Sequence, residues 1–175
     1  MILEVKTFPD KVLRKIAKPV TDINDEIITL LNNMVETMHA QNGVGLAAPQ
    51  VGISKRIIVA DPSGGEDESM IMRLINPEIT AEYGEQLGEE GCLSVPGEYE
   101  SVRRAEAVSI EAMDEKGDKF SMKAEGFLAR ILQHEIDHLD GKLFIDRIPS
   151  FKRDTLKKSI KRRISEGDYI VTGME

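Results

Sequence analysis

From Ile27 onward apolar residues recur at helical spacing. Ile27, Leu30, Leu31, Met34, Val35 and Met38 fall at i, i+3, i+4, i+7, i+8 and i+11, which is one stripe of an amphipathic helix. The polar cluster Thr21-Asp22-Ile23-Asn24-Asp25 supplies its cap and Asn42-Gly43 its stop. Between Gly43 and Gly52 the glycines and Pro49 exclude a regular helix and predict extended chain with a turn. Short strands are predicted at residues 56–60, 74–75 and 79–83, the last two separated by Asn76-Pro77. Val108, Ile110 and Ala112 alternate with Ser109, Glu111 and Met113. Past the turn Glu115-Lys116-Gly117-Asp118, Phe120, Met122 and Ala124 alternate again, predicting a β-hairpin. A second helix is expected over about 125–139, ending at Asp140-Gly141, and a third after Pro149-Ser150. Helix, many strands, helix, helix lacks βαβ alternation. It predicts an α+β fold, with antiparallel strands packed around the second helix and amphipathic helices towards each end.

The 175 residues suit one domain, 1–175, large enough for a core without disulfides. No apolar run approaches the length of a membrane span, and the first residues lack the apolar core of a signal peptide, so the expected compartment is the cytoplasm. With 23 basic and 31 acidic residues the net charge is −8, which argues against a general DNA binder. Cys92 is the only cysteine, so it forms no internal disulfide; it is either core filler or chemistry.

The second helix contains His134-Glu135-Ile136-Asp137-His138. Histidines at i and i+4 share a helix face and can reach one ion, with Glu135 close enough to touch a water held there. A catalytic metal site keeps three protein ligands and an open position. The chain's remaining histidine, His39, falls near the end of the first helix and is given no catalytic role. No histidine follows His138, and the two downstream glutamates, Glu166 and Glu175, lie beyond the expected third helix. The third ligand is therefore expected upstream, and Cys92 is the outstanding candidate. Two imidazoles and a thiolate suit zinc or Fe(II) alike. Such an ion lowers the pKa of its water towards ~7, and Glu135 is the natural base. The residues themselves lead to metal-assisted hydrolysis of a carbonyl compound.

Three blocks carry the reading further: Gly43-Val44-Gly45-Leu46-Ala47-Ala48-Pro49-Gln50, Glu90-Gly91-Cys92-Leu93-Ser94, and Gln133-His134-Glu135-Ile136-Asp137-His138-Leu139. In order and spacing they resemble bacterial peptide deformylase, over essentially the whole chain. The resemblance implies removal of the formyl group from N-formylmethionine of nascent polypeptides. It implies Cys92, His134 and His138 as metal ligands, with Fe2+ favoured and Zn2+, Ni2+ or Co2+ able to occupy the same site. Glu135 would be the acid/base, and the Gln50 amide and Leu93 N–H the donors to the oxyanion. Gly43, Val44 and Gly45 would pair with the substrate backbone as an added strand. A methionine pocket is expected from Val44, Phe127, Ile131 and the flank of His134, although Phe127 and Ile131 also read as plain core. Arg130, one residue off that face, is read as lining the pocket mouth or pointing into solvent.

Residues 150–164 contain seven basic side chains (Lys152, Arg153, Lys157, Lys158, Lys161, Arg162, Arg163) and one acid, Asp154. The segment is thus +6, and a total of −8 leaves −14 elsewhere. Phe151, Leu156, Ile160 and Ile164 fall near helical spacing, so residues 150–166 read as a helix packed on one side and basic on the other. The resemblance suggests docking on ribosomal RNA beside the exit tunnel; a solvated face is the plainer alternative. Residues 166–175 receive no assignment.

Overall fold

The computed structural model describes residues 1–173; Met174 and Glu175, within the unassigned tail, lie outside them. Helix α1, Asp25–Ala40, begins where the Asn24 side chain accepts from the Ile27 N–H. It buries Ile27, Leu31, Met34, Val35 and Met38, while Leu30 is half-buried. Asn42 takes φ +57° and ends the helix, with Gly43 N–H donating back to Met38 O. The chain then forms strand β1, Gly45–Ala47, and a single 3-10 turn over Ala48–Val51 closed by Gly52 at φ +85°. Extended chain and a turn are what the glycines and Pro49 predict.

Strands β2 (Ile57–Ala60), β3 (Met72–Tyr83), β6 (Ala107–Met113) and β7 (Lys119–Glu125) join β1 in an antiparallel sheet of order β1-β2-β3-β6-β7. The predicted hairpin is β6–β7, with Ile110 opposite Met122. The two strands expected at 74–75 and 79–83 are one strand, β3. Its register shifts between Ile75 and Glu78, because Pro77 has no N–H to give the ladder and a bulge absorbs it. Asn76, at φ +51°, pins that bulge: its side chain accepts from Val20 N–H at 2.8 Å and donates to Val20 O at 2.9 Å.

Strands β4 (Gln86–Cys92) and β5 (Val95–Arg104) form a separate hairpin, to which the sequence pattern assigns no element. Helix α2, Gly126–Leu139, runs between the sheet and this hairpin and is buried on nearly every side from Ala129 to Leu139. One core cluster joins α2 to the sheet through Ile58, Leu74, Ile110 and Leu132. A second packs α1 on β1 and β2, and a third gathers β5, Phe144 and helix α3.

Helix α3 spans Ser150–Ser165 and buries Leu156 and Ile160, with Ile164 half-buried. Phe151, expected on the packed side, is instead 68% exposed at the helix's first turn. The helix is tied to β5 by Lys152 to Glu100, Ser159 to Glu98, and Arg163 to both Glu98 and Pro96 O. Among the described residues no helix is long and apolar enough to cross a membrane.

Candidate metal centre and substrate cleft

Cys92 closes β4 where the β4–β5 register slips between Gly91 and Cys92, so its side chain turns towards α2. There the ligand atoms of Cys92, His134 and His138 all lie within 4.8 Å of one another, and Cys92 Sγ is 3.4 Å from His138 Nε2. They are the cluster of potential metal-ligating side chains among the described residues. A thiolate and two imidazoles at this separation fit one borderline ion. Two buried side-chain atoms here have no protein partner, Glu135 Oε2 and His138 Nδ1. Of the two, Glu135 Oε2 belongs to a side chain that lines the cleft, and an unmet buried oxygen there marks a place built for something more than packing.

The histidine orientation has a visible cause. Glu90, on the inward face of β4, accepts from His134 Nδ1 at 2.8 Å, which leaves His134 Nε2 for an ion. Glu90 is itself held by Arg104 through Nε and Nη2, both at 2.8 Å, and by Arg130 Nη1 at 2.5 Å. Arg104 also reaches Asp137, on which Arg147 closes with two further bonds. Burial opposes a charge on Glu90, but the Arg104 and His134 contacts outweigh it and hold the carboxyl well below the usual range. Asp137 is lowered in the same manner by Arg147 and Arg104. Every charge in this interior chain is compensated, a condition for its being tolerable.

Glu135 differs. Its side chain is 3% exposed and lies 3.7 Å from His134 Nε2, and burial pushes its pKa up to about 7. A carboxyl poised there can hold or release a proton near neutrality.

Opposite the histidines, Gln50 is fixed at both ends of its amide. Oε1 accepts from Ala47 N–H at 2.9 Å, and Nε2 faces Ser94 Oγ at 3.1 Å and Cys92 Sγ at 3.5 Å. This settles which atom points at the centre: the donor, not the oxygen. Leu93 follows Cys92 in the turn, and its side chain lies where a Cβ on Gly43 would stand, 2.9 Å away.

These groups open into a cleft of about 430 Å³. It runs between Gly43, Val44 and Gly45 on one wall and the β4–β5 turn on the other, with α2 as its floor. All the expected site residues line it except His138, which sits buried behind Cys92. Phe127 is 56% exposed at the rim, so it is not plain core; Ile131 is shared between cleft and core. Arg130 corrects the expectation of a mouth or solvent position. It is buried, paired with Glu90, and forms charged floor beneath the cleft.

Sequence reasoning missed Glu90 as a positioning group, Arg104 as its partner, Asp137 on the far side of Arg104, and Tyr99. The Tyr99 ring lies so close over Gly91 that a Cβ there would stand 2.5 Å from it. Glu90 could have been found from its place two residues before the candidate thiol; nothing local marks Tyr99. His39, given no catalytic role, pairs with buried Asp61 at 2.7 Å and anchors the loop after β2, away from the cleft lining.

A family model described as polypeptide deformylase matches residues 2–154. A protein named peptide deformylase from Thermodesulfovibrio yellowstonii is 50% identical over 162 residues, covering 93% of this chain and 98% of its own. Another from Alkalilimnicola ehrlichii is 43% identical over 172 residues, covering 98% and 96%. The crystal structure of a peptide deformylase from Legionella pneumophila superposes with a TM-score of 0.89 at 45% identity, covering 95% of this chain and 98% of that one. One from Synechococcus elongatus in complex with actinonin gives a TM-score of 0.87 at 38% identity, covering 97% and 92%.

Proposed function

The chain belongs to the peptide deformylase family, metal-dependent hydrolases that remove the N-formyl group from nascent polypeptides, and from that premise we propose how its own residues divide the work. The observation that carries the reading is the Cys92, His134 and His138 cluster with Glu135 beside it, at the end of a cleft walled by β1. We read the whole chain as one catalytic domain acting in the cytoplasm.

Cys92, His134 and His138 would hold the metal, with Fe2+ the preferred ion. When bound, the ion supplies Lewis acidity and makes water acidic enough to act as a nucleophile near neutral pH. Glu135 takes the proton of the attacking water and later delivers it to the departing amine, as a carboxyl of pKa about 7 can do. Water oxygen bonds to the formyl carbon, the C–N bond breaks, and formate and a free N-terminus result. Gln50 Nε2 and the Leu93 N–H donate to the formyl oxygen as negative charge builds on it. One such fixed donor contributes roughly 2.7–4 kcal/mol to transition-state binding.

β1 stands at the end of the sheet order, and its first residue, Gly45, lines the cleft together with Gly43 and Val44 just before it. The substrate backbone adds there as a further strand, along Gly43, Val44 and Gly45. The methionine side chain enters the space between Val44, Phe127, Ile131 and the His134 flank. Main-chain pairing leaves the following residues largely unread, as an enzyme for many different nascent chains requires.

The basic face of α3 is the proposed contact with ribosomal RNA. Lys152 and Arg163 are engaged on β5, whereas Lys157, Lys158, Lys161 and Arg162 are exposed. Four phosphate contacts would make log K fall against log salt with a slope of about −3 to −4, measurable by co-sedimentation with ribosomes.

Formate release from an N-formylmethionyl tripeptide, by protein purified anaerobically and assayed for metal, tests the catalytic reading. Formate at roughly one Fe per chain, abolished in Glu135→Ala with metal retained, is the expected result. Stoichiometric metal without formate would overturn it.

A further inference from the structure

The two terminal segments of the described chain meet behind the turn that carries Cys92 and Leu93, and we propose that Tyr169 is a positioning residue for that turn. Ser94, the next residue, is fully buried and serves as the junction. Its Oγ receives Gln50 Nε2 and its carbonyl receives Phe8 N–H at 2.7 Å. Lys6 N–H donates to Gln50 O, also at 2.7 Å. Three residues of N-terminal chain thus join the loop bearing Gln50 to the turn bearing Cys92 and Leu93.

The tail after α3 holds that bridge in place. The Tyr169 hydroxyl donates to Phe8 O at 2.8 Å and lies 3.4 Å from Ser94 O, so it sits over both ends of the Phe8–Ser94 link. Burial raises the phenol's pKa, so the group remains a donor. Its ring is 4% exposed in the cluster that includes Val95 and Val102, with the Arg163 guanidinium 5.5 Å above it. Thr172 Oγ1 accepts from Thr7 N–H at 2.9 Å and donates to Asp10 at 2.7 Å, locking the tail to the same segment. The bonds from α3 reach β5 only at Pro96, Glu98 and Glu100, past the turn. Tyr169 is the tail side chain bonded at the turn itself. A hairpin end with a bulge beside its metal-ligating residue is otherwise free to shift, and small displacements of reacting groups are costly.

The inference rests on the roles proposed above for Cys92 and Leu93. Its test uses full-length, metal-loaded protein carrying Tyr169→Phe, which keeps the ring and removes only the hydroxyl. The rate at which a chelator withdraws zinc from the zinc-loaded protein should rise about three- to tenfold, less than the effect of losing a group bonded directly to a ligand. On an N-formylmethionyl peptide, kcat of the iron-loaded protein should fall by a similar factor with KM nearly unchanged. Should that variant not fold, Thr172→Val loosens the tail at the surface and carries the same two readings. A lowered melting temperature with wild-type zinc release and wild-type kcat would mean the tail only stabilises, and would overturn the proposal. The zinc measurement needs no substrate, so it stands even where the deformylase reading fails.

Discussion

A Cβ built on Gly45 would lie 2.9 Å from Glu135 Cδ and 3.0 Å from its Oε2. Glycine in β1 thus makes the room that the Glu135 carboxyl occupies. Because Glu135 is buried, it has little space to retreat. Gly45→Ala should therefore displace the carboxyl and lower kcat at least about tenfold, since misplacement of about 1 Å can cost as much as a hundredfold. Metal content should be unchanged. Steady-state kinetics beside metal analysis would check both, and unaltered kcat would show that Glu135 adapts.

Glu135→Gln retains the volume and removes the titrating group. The variant should fold, keep its metal and lose about 10²–10⁴ in kcat. A residual rate near wild type would move the acid/base role elsewhere.

Glu90 is predicted to matter without touching substrate. Glu90→Gln removes the negative charge that Arg104 and Arg130 face in the interior, and it turns one of the two acceptor oxygens shared by Arg104, Arg130 and His134 into a donor. Metal affinity should fall about 10–100-fold, and unfolding free energy by about 3–5 kcal/mol, as for other broken buried ion pairs. Competition with a chelator and urea denaturation measure the two effects separately.

Acid should unfold the protein through its paired carboxylates. Glu90, Asp137, Asp61 and Asp146 all have pKa values lowered in the folded state: burial opposes the charge, and Arg104, Arg147, Ser63 with His39, and Arg14 respectively outweigh it. A folded pKa below the unfolded value contributes stability that is fully present above the unfolded value and lost as pH falls through the folded one. With unfolded values of 3.8 for Asp and 4.5 for Glu, the contribution of these four groups should be complete above about pH 5, and the urea midpoint should fall steeply below about pH 4. A midpoint flat down to pH 3 would contradict this.

The helices and the β6–β7 hairpin were legible because their apolar residues repeat at the period of the element that buries them. The histidine pair was legible for a related reason: a four-residue spacing alone places both rings on one face. The β4–β5 hairpin was not. Val95 and Val102 apart, its inward positions carry Gly88, Glu90 and Arg104, and the partners of the two charged ones stand 14, 33 and 40 positions away. No local pattern announces charge that only the tertiary fold neutralises. The same holds for Arg130, which reads as a surface cation until Glu90 is placed beneath it. Bulged β3 was split in two because Asn76-Pro77 breaks the ladder locally, while the Val20 contacts that repair it are 56 positions distant.

The stretch proposed to pair with substrate, Gly43 to Gly45, is three residues long and ends on the first residue of β1. At about 3.4 Å per residue, the edge it offers measures roughly 10 Å. With the proposed pairing, a polypeptide laid against it would be gripped over its first few residues and run out into solvent beyond. Such an edge works as a short ruler: it registers the distance from the chain's end and leaves the rest of the chain unconstrained. Chains still being extended, already folding further along, or held by another protein would then be equally serviceable, provided that a few residues at the end hang free.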